Sequence, residues 1–366
     1  MRIRHMSVIA ALVAGLVIGA AARAAGTVNV YNWNDYIGDG VIAAFEKESG
    51  TKVVYDVFDS NEVLEGKLLA GSTGYDVVVP TIEFMGRQIK AGVFQPLQKD
   101  KLPNYRELDP AMMATIATVD PGNQYGVPYM WGTTGIGINK AKVLAALGPD
   151  APLDSWDLVL KPENLAKLSD CGVAFLDSPT EIFAAALHYL GKDPNSTNTA
   201  DYQGAAKALL KQLAPHVTYF HSSRYIDDLA SGEICVAIGW SGDIAQAKVD
   251  AEKAKSGVEI TYVIPREGAM QFYDLLAIPG DAPNVEQAHA FINFLMRPDI
   301  AAKNTNHIWY PNPIPASRPL LDDDIVADMS VYPSPDVMSK LYIATIKSPA
   351  VDRAMNRAWT EVKTKR

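Results

Sequence analysis

The sequence predicts an α/β protein built from two lobes. Strand-like and helix-like stretches alternate through most of the chain, and apolar runs such as residues 75–80 are typical of buried parallel strands. Helix signals begin at capping residues and end at glycines, as between Ser60 and Gly71. Because 366 residues exceed what one hydrophobic core usually organises, two lobes are expected.

The first part of the chain consists of βα units in series. Strands are predicted at residues 28–31, 52–58 and 75–80, and helices at 38–49, 60–70 and after Thr81. Residues 124–139 are glycine-rich and extended without a helical period. We interpret this segment as the crossing into the second lobe.

The second part repeats the alternation of strands and helices. Its predicted elements are a strand at 172–176, helices at 182–190 and 202–213, a helix capped by Ser222 or Ser223, a strand at 234–240, a helix at 242–255, strands at 258–264 and 272–278, helices at 285–296 and 298–305, and a polar helical tail. The order is that of an α/β fold.

The N-terminal segment, residues 1–25, indicates a secretory signal. Arg2 and Arg4 form a basic start, an apolar run covers residues 6–22, and Ala22-Arg23-Ala24 supplies a cleavage site. The apolar run is a little shorter than the roughly 20 residues of a spanning helix, so we expect cleavage and export. An uncleaved anchor is the alternative.

The charge of the chain excludes one class of partner. The predicted leader contains three arginines and no acid, so its removal takes the formal net charge from -9 to about -12. A chain this acidic repels phosphates, and we therefore expect no nucleic-acid partner. A cationic partner is compatible with this charge.

Cys171 and Cys235 are the two cysteines of the chain. In an exported protein an even pair predicts a disulfide, which would stabilise the fold by about 4 kcal/mol on the chain-entropy model. Two buried free thiols are the alternative. Two cysteines and six histidines without ligand spacing do not indicate a metal site, and no cofactor is expected.

Aromatic and acidic side chains are concentrated just after predicted strand ends. They are Trp33, Asp35, Tyr36, Glu181, Trp240 and Asp243, with the short polar Thr81 at a further strand end. In an open α/β sheet that edge is where ligands usually bind. Aromatic faces beside carboxylates suit an organic cation, and several acids favour an elongated amine.

Each of these side chains also has a purely structural interpretation. Glu181 ends a capping-box pattern, and Asp243 lies in a first helical turn where the dipole stabilises negative charge. The two tryptophans fit a hydrophobic core equally well. Asp274 interrupts an apolar strand, and because an unpaired carboxylate is costly to bury there, a binding role is favoured.

The sequence contains no common catalytic motif that would favour an enzyme over a binding protein. The chain contains no Gly-x-Ser-x-Gly elbow, no His-Glu-x-x-His sequence and no Walker loop. A carboxylate pair such as Asp35 and Asp243 would suit a glycosidase, so a carboxylate-pair hydrolase is the enzyme alternative. We expect a protein that is not an enzyme.

Several long stretches resemble the periplasmic polyamine-binding proteins of ABC transporters, most nearly the putrescine-binding members. The stretches are residues 31–37, 58–68, 128–137, 155–157, 238–243 and 264–269. The resemblance covers essentially the whole mature chain. It implies a type II periplasmic binding fold of two lobes, each a mixed sheet flanked by helices, that closes on a ligand in the interlobe cleft and delivers it to a membrane ABC permease. A periplasmic monomer is expected.

The resemblance also implies the binding residues. The aromatic box would be formed by Trp33, Tyr36, Trp240, Phe272 and Tyr310. The acids that receive the ammonium groups would be Asp35, Glu181, Asp243 and Asp274. Asn34 and Thr81 stand where relatives often have serine, and Glu83 adds an acid where relatives commonly have a small neutral residue, which makes Glu83 a candidate modulator of specificity.

Lobe boundaries and ligand follow from the same resemblance. Lobe 1 would comprise residues 26–129 plus 257–303, and lobe 2 residues 130–256 plus 304–366, with the hinge near 130, 256 and 304. Putrescine is the expected ligand, because Phe272 is more like the putrescine-binding members than the spermidine-binding ones. Spermidine, cadaverine and agmatine are the alternative ligands, and a chemosensory receptor is an alternative role.

Overall fold

The computed structural model describes residues 26–364, so the predicted leader at residues 1–25 lies outside the described residues. The strands, in chain order, are β1 (Thr27–Trp33), β2 (Lys52–Phe58), β3 (Val77–Val78), β4 (Gly126–Asn139), β5 (Val173–Phe175), β6 (Tyr219–Phe220), β7 (Val236–Trp240), β8 (Ile260–Val263), β9 (Met270–Ala277) and β10 (Tyr342–Ile343).

Helices alternate with these strands through most of the described range. The α-helices are α1 (Val41–Ser49), α2 (Asn61–Ala70), α3 (Ile82–Lys90), α4 (Pro110–Ile116), α5 (Lys140–Leu147), α6 (Asp157–Leu160), α7 (Pro162–Leu168), α8 (Pro179–Tyr189), α9 (Thr199–Asp201), α10 (Lys207–Leu213), α11 (Tyr225–Ser231), α12 (Ser241–Ala254), α13 (Val285–Leu295), α14 (Pro298–Ile308), α15 (Asp323–Ala327), α16 (Pro335–Met338) and α17 (Pro349–Thr364). A π-helical turn, Tyr202–Ala206, precedes α10.

The long strand β4 connects the two halves of the sheet. The strand order is β2-β1-β3-β9-β4-β7-β5-β6, with β10 beside β9 and β8 beside β4. The first half of β4 pairs antiparallel with β9, and the second half pairs antiparallel with β7 and β8. β1, β2 and β3 are mutually parallel, as are β5, β6 and β7. β4 is therefore the segment that crosses from one half to the other, as its glycine-rich sequence predicts.

Two separate hydrophobic cores lie on either side of this crossing. The first contains the apolar face of β1 and side chains of α13 such as Phe291, and it also includes Tyr310. The second contains Trp156 and Phe183 and is covered by one face of α17 through residues such as Trp359. The protein is thus a two-lobed α/β fold, as predicted. The residue boundaries of the lobes stay a prediction.

Local sequence signals agree with most of the element positions. Ser60 caps α2 as predicted, since its hydroxyl accepts a hydrogen bond from the Val63 N–H at 3.3 Å. The expectation that Ser222 or Ser223 caps the following helix is wrong, because the N-cap residue of α11 is Arg224. The strand predicted at residues 75–80 is also shorter, with only Val77–Val78 in the ladder.

A disulfide joins Cys171 and Cys235, with Cα atoms 5.4 Å apart, which confirms the predicted pair. It links the segment before β5 to the residue that precedes β7, two neighbouring strands of the second half. Among residues 26–364, no helix is long and apolar enough to cross a membrane.

Candidate functional site

A cavity lies where the two hydrophobic cores face each other, at the ends of β1 and β7 and beside the middle of β9. Its lining is mostly aromatic, acidic and hydroxyl-bearing. The lining residues are Trp33, Asn34, Tyr36, Phe58, Asp59, Asn61, Thr81, Glu181, Ser222, Ser223, Ile226, Trp240, Asp243, Phe272, Asp274 and Tyr310.

One acidic end of the cavity is formed by Asp274 on β9. The Tyr36 hydroxyl donates a hydrogen bond to Asp274 Oδ2 at 2.8 Å, and the Thr81 hydroxyl donates to Oδ1 at 2.7 Å. Asn61 donates in turn to the Thr81 hydroxyl at 2.8 Å. Thr81 is the residue before α3 and has the sequence pattern of a helix cap, but its side chain makes no cap hydrogen bond, and its hydroxyl instead orients this carboxylate. Asp274 is thereby held at the surface of the cavity rather than left as an unpaired buried acid.

Asp243, in the first turn of α12, forms a second acidic group. Two tyrosines orient it, because the Tyr225 hydroxyl donates to Oδ2 at 2.6 Å and the Tyr310 hydroxyl donates to Oδ1 at 2.7 Å. The Asp243 backbone N–H donates to the Tyr310 oxygen at 3.2 Å. The dipole of α12 adds a positive potential at this position.

Glu181, in the first turn of α8, lies near Trp240. The indole N–H of Trp240 donates to Glu181 Oε1 at 3.3 Å, and the Thr134 hydroxyl donates to Oε2. The capping-box interpretation of Glu181 is therefore incorrect, because both carboxylate oxygens accept from side chains of other elements. This arrangement aims the acid at the cavity instead of at its own helix terminus.

Aromatic rings form the walls between these acids. Trp33 and Trp240 meet edge to face with ring centroids 5.4 Å apart, and Trp240 lies 6.5 Å from Phe272. Tyr310 lies 4.9 Å from Tyr36 and 6.2 Å from Phe272. Such rings present their negative faces and apolar surface to a ligand, which suits an alkyl chain that carries cationic ends.

Burial makes the ligand-facing acids hard to ionise while no cation is bound. It raises the pKa of Asp243 and of Asp274 to about 7 and the pKa of Glu181 to about 8. Hydrogen bonds from their hydroxyl partners oppose these shifts in each case. An ammonium group beside these acids would favour their ionised form.

Most of the residues predicted from the sequence meet in this cavity. Ten of them line it: Trp33, Asn34, Tyr36, Thr81, Glu181, Trp240, Asp243, Phe272, Asp274 and Tyr310. The other two lie outside the lining. Asp35 is exposed and in the left-handed region, with φ 49°, and Glu83 is buried in the first turn of α3.

Sequence reasoning missed several side chains of the site. Lining residues without a prediction are Phe58, Asp59, Asn61, Ser222, Ser223 and Ile226. Tyr225 and Thr134, which orient Asp243 and Glu181, were also missed. Phe58 ends β2 beside Trp33 and Asp59 follows it, so the strand-end rule could have found both residues. Tyr225 and Thr134 reach their acids only through the tertiary structure.

The side chains that commonly bind metal ions are not grouped in the described part of the chain. Among residues 26–364, no group of three histidine, cysteine or carboxylate side chains is placed to hold a metal ion. What the cavity provides is hydrogen-bonded carboxylates and aromatic faces. This combination of groups is suited to an organic cation.

Comparisons with known proteins all point to one protein family. Residues 40–331 match the family described as bacterial extracellular solute-binding protein. The chain is 54% identical over 347 residues, 95% of this chain and 94% of the other, to the putrescine-binding periplasmic protein PotF of Escherichia coli (strain K12). It is 55% identical over 359 residues, 98% of each chain, to the putrescine-binding periplasmic protein SpuD of Pseudomonas aeruginosa (strain UCBPP-PA14).

A solved structure shows the same architecture. The spermidine/putrescine ABC transporter substrate-binding protein PotD from Streptococcus pneumoniae superposes with a TM-score of 0.74 and 25% sequence identity, over 93% of this chain and 99% of that chain. These comparisons lead to one assignment. The chain belongs to the family of bacterial extracellular solute-binding proteins.

Proposed function

We propose that the protein is a periplasmic receptor that captures putrescine and delivers it to the membrane permease of an ABC transporter. It acts by binding, not by catalysis. The observation that carries the proposal is that acids reach the cavity from both cores. Asp274 comes from β9, which packs in the first core, and Asp243 and Glu181 come from α12 and α8, which pack in the second. A diamine has one ammonium group for each side.

The aromatic walls support the same ligand class. The rings of Trp33, Trp240 and Phe272 stand between the acids and offer apolar surface for methylene groups. A cation over an aromatic face gains about 0.5 to 2 kcal/mol, depending on how far it is desolvated. The relatives PotF and SpuD, which share more than half of their residues with this chain, are putrescine-binding proteins, and this supports putrescine among the diamines.

We assign the residue roles as part of the proposal. Asp274, oriented by Tyr36 and Thr81, receives one ammonium group, and Asp243 and Glu181 receive the other. Asp35 is exposed and follows the lining residue Asn34 in sequence, so we place it at the rim of the cavity. It contributes negative potential at the entrance rather than a direct contact. Asn34 lines the cavity beside it.

Capture requires the lobes to close around the ligand. The lining comes from both cores, so the full set of contacts exists only when they approach each other, and a diamine shifts the population toward the closed form. We propose residues 26–129 plus 257–303 as one lobe and 130–256 plus 304–366 as the other. Near the crossings the packing departs from these ranges, since Ile260 packs in the second core and Tyr310 in the first. The closed, loaded form is the one presented to the permease.

Calorimetric titration tests this function directly. The purified mature protein is titrated with putrescine, cadaverine, agmatine and spermidine, and with one amino acid and one sugar as unrelated solutes. Putrescine is expected to bind with a dissociation constant in the micromolar range or below, near -8 kcal/mol or stronger. Binding of the amino acid or sugar, with every amine weaker than about millimolar, would refute the proposal.

A further inference from the structure

A second cavity lies on the opposite face of β9 from the cavity that we propose for putrescine, which we now call the ligand cavity. We call the second one the rear cavity. Its volume is about 490 Å³, and its lining includes Trp131, Gln271, Tyr273, Arg318 and Tyr332. Along β9, Phe272 and Asp274 line the ligand cavity, whereas the alternate residues Gln271 and Tyr273 line the rear cavity. Successive side chains of a strand point to opposite faces of the sheet, so β9 separates the two cavities.

The rear cavity has the size and the apolar walls of a small-molecule site. Sites of this kind usually have volumes of about 300 to 1,000 Å³. The rings of Trp131 on β4 and Tyr273 on β9 lie with their centroids 6.5 Å apart. Tyr332 adds a third ring to the lining, and Met112 and Met338 add flexible apolar side chains. These walls favour a planar aromatic ring as the occupant.

Two buried polar groups of the rear cavity lack partners. Gln271 and Tyr273 are each 7% exposed. Among residues 26–364, neither the side-chain amide of Gln271 nor the hydroxyl of Tyr273 makes a hydrogen bond. Buried polar side chains nearly always have a hydrogen-bond partner. A molecule bound in the rear cavity can supply the missing acceptors.

Arg318 supplies a positive charge to the same cavity. Its guanidinium carbon lies 3.8 Å from the centroid of the Tyr332 ring, and within the described range Arg318 forms no ion pair. Asp109, the acid of the lining, already caps α4, because its Oδ1 accepts from the backbone N–H groups of Ala111 at 2.8 Å and Met112 at 2.9 Å. An unpaired guanidinium stacked on a ring is well suited to a carboxylate.

The walls of the rear cavity come from both parts of the molecule. Met112, on α4, packs against the first core. Tyr332 packs instead with Ala245 of α12, a helix that also contributes Ile244 to the second core. A molecule in the rear cavity therefore contacts segments that are attached to different cores.

The position of β4 and β9 between the two cavities links their movements. In the described form the walls of the ligand cavity meet, since the Trp33 and Trp240 ring centroids are 5.4 Å apart, while the rear cavity is open. A rotation about these strands that separates the walls of the ligand cavity brings the walls of the rear cavity together. An occupant of the rear cavity therefore opposes opening of the ligand cavity.

We propose that the rear cavity is an effector site that binds an aromatic carboxylic acid and raises putrescine affinity by holding the lobes closed. The ring of the acid packs against Trp131 and Tyr273, and its carboxylate pairs with Arg318. Two ligands that both prefer the closed form bind cooperatively, and each raises the affinity of the other by the same factor. The acids of the ligand cavity repel such an anion, which keeps the two ligands in separate cavities.

Calorimetric titration of the mature protein with indole-3-acetate tests the site, and indole-3-acetamide is the uncharged counterpart of this probe. Each is titrated with and without saturating putrescine, and putrescine is titrated with and without saturating indole-3-acetate. We expect a dissociation constant for indole-3-acetate below about 1 mM, roughly tenfold lower than for the amide. Indole-3-acetate should raise putrescine affinity about fivefold or more, and putrescine should raise indole-3-acetate affinity equally.

Variants of the lining assign the probe to the rear cavity. Arg318→Gln should abolish the preference for the acid over the amide, and Gln271→Met should weaken the binding of both. Without the probe, each variant should bind putrescine within about threefold of the unsubstituted protein, which also shows that it folds. Arg357→Gln is the control, because Arg357 is exposed on α17 and lines neither cavity, and it should change nothing.

The cooperativity rests on the proposed function, but the two fail in different titrations. If putrescine bound while indole-3-acetate did not, or if Arg318→Gln bound the acid as tightly as the unsubstituted protein, the rear site would be refuted and the proposed function would stand. Indole-3-acetate that lowered putrescine affinity or left it unchanged would refute the effector role. Normal binding of the acid to a protein that did not bind putrescine would instead refute the proposed function.

Discussion

The indole of Trp33 contacts the indole of Trp240 edge to face, with ring centroids 5.4 Å apart. The two rings come from the ends of β1 and β7, strands that lie in different halves of the sheet. Each indole N–H is also engaged, Trp33 with the Val79 carbonyl at 2.9 Å and Trp240 with Glu181. The two tryptophans therefore connect the two cores at the cavity. They form one aromatic wall, and Trp240 also holds the Glu181 carboxylate beside that wall.

Replacing Trp240 with alanine should weaken putrescine binding much more than it destabilises the protein. The substitution removes an aromatic face and a hydrogen-bond donor to Glu181, so we expect a loss of affinity of roughly tenfold to a hundredfold. Trp240 is only half-buried, and the ligand-free melting temperature should fall by a few degrees. Calorimetric titration and thermal melts measure the two effects.

Trp131→Ala is the matched control for this variant. Trp131 is also half-buried and lies on β4, but it faces Tyr273 and is absent from the lining of the ligand cavity within the described residues. Its removal should leave putrescine affinity nearly unchanged. If both variants lost affinity equally, Trp240 would have to be regarded as a general packing residue.

Trp33 and Trp240 also illustrate what local sequence patterns predict well. Apolar runs locate β1 and β7, and the rule that ligands bind at carboxyl ends of parallel strands then selects the two tryptophans. The cap at Ser60 and the glycine after α1 are likewise local signals, and both are where expected. These features depend on residues a few positions apart.

The remaining features of the site depend on pairs that are distant in sequence. Thr81 and Asp274 are 193 positions apart, and their contact exists because β3 and β9 are neighbours in the sheet. Thr81 has the pattern of a helix cap, and only the tertiary fold gives its hydroxyl another acceptor. Tyr225 and Tyr310 meet at Asp243 for the same reason, so the supports of that acid leave no local pattern.

Putrescine affinity should increase from pH 5.5 to pH 8.5. Burial raises the pKa of Asp243 and Asp274 to about 7 and that of Glu181 to about 8, so these acids are largely protonated in the ligand-free protein at low pH. Alkyl ammonium groups stay charged to about pH 10, as lysine does. Binding at acidic pH must therefore release protons, which weakens it.

The same shifts set the sign of the effect on stability. In the unfolded chain these acids ionise near pH 4, but the folded protein keeps their protons to about pH 7 or 8. Their contribution to the free energy of unfolding therefore decreases as pH rises from about 4 to 8 and is constant above. Melts of the ligand-free protein beside Asp274→Asn check this, since the variant should lose one part of the pH dependence.

Calorimetry in two buffers of different ionisation enthalpy counts the protons released on binding. We expect release near pH 6 and almost none at about pH 9, where the acids are already ionised. Affinity that is independent of pH, or that increases toward acid, would contradict the assignment of these carboxyls as ammonium acceptors.

Gly242→Ala should weaken putrescine binding, although Gly242 itself does not line the cavity. A Cβ at position 242 would lie 2.2 Å from ring atoms of Tyr310, so the ring has to move. That movement stretches the 2.7 Å hydrogen bond from Tyr310 to Asp243 and shifts the ring against Phe272. The loss of a hydrogen bond to a charged group corresponds to about 1.5 to 3 kcal/mol, or roughly tenfold to a hundredfold in affinity.

Gly66→Ala provides the same substitution in a helix without a neighbour to displace. No atom outside the adjacent backbone lies within 4 Å of a Cβ at position 66, so this change should be neutral for binding and stabilise α2 by up to about 1 kcal/mol. Tyr310→Phe separates the hydroxyl from the ring, because it keeps the ring and removes only the two hydrogen bonds between the Tyr310 hydroxyl and Asp243. If Gly242→Ala bound putrescine as tightly as the unsubstituted protein while Tyr310→Phe did not, the position of the ring would be irrelevant and the hydroxyl alone would orient the acid.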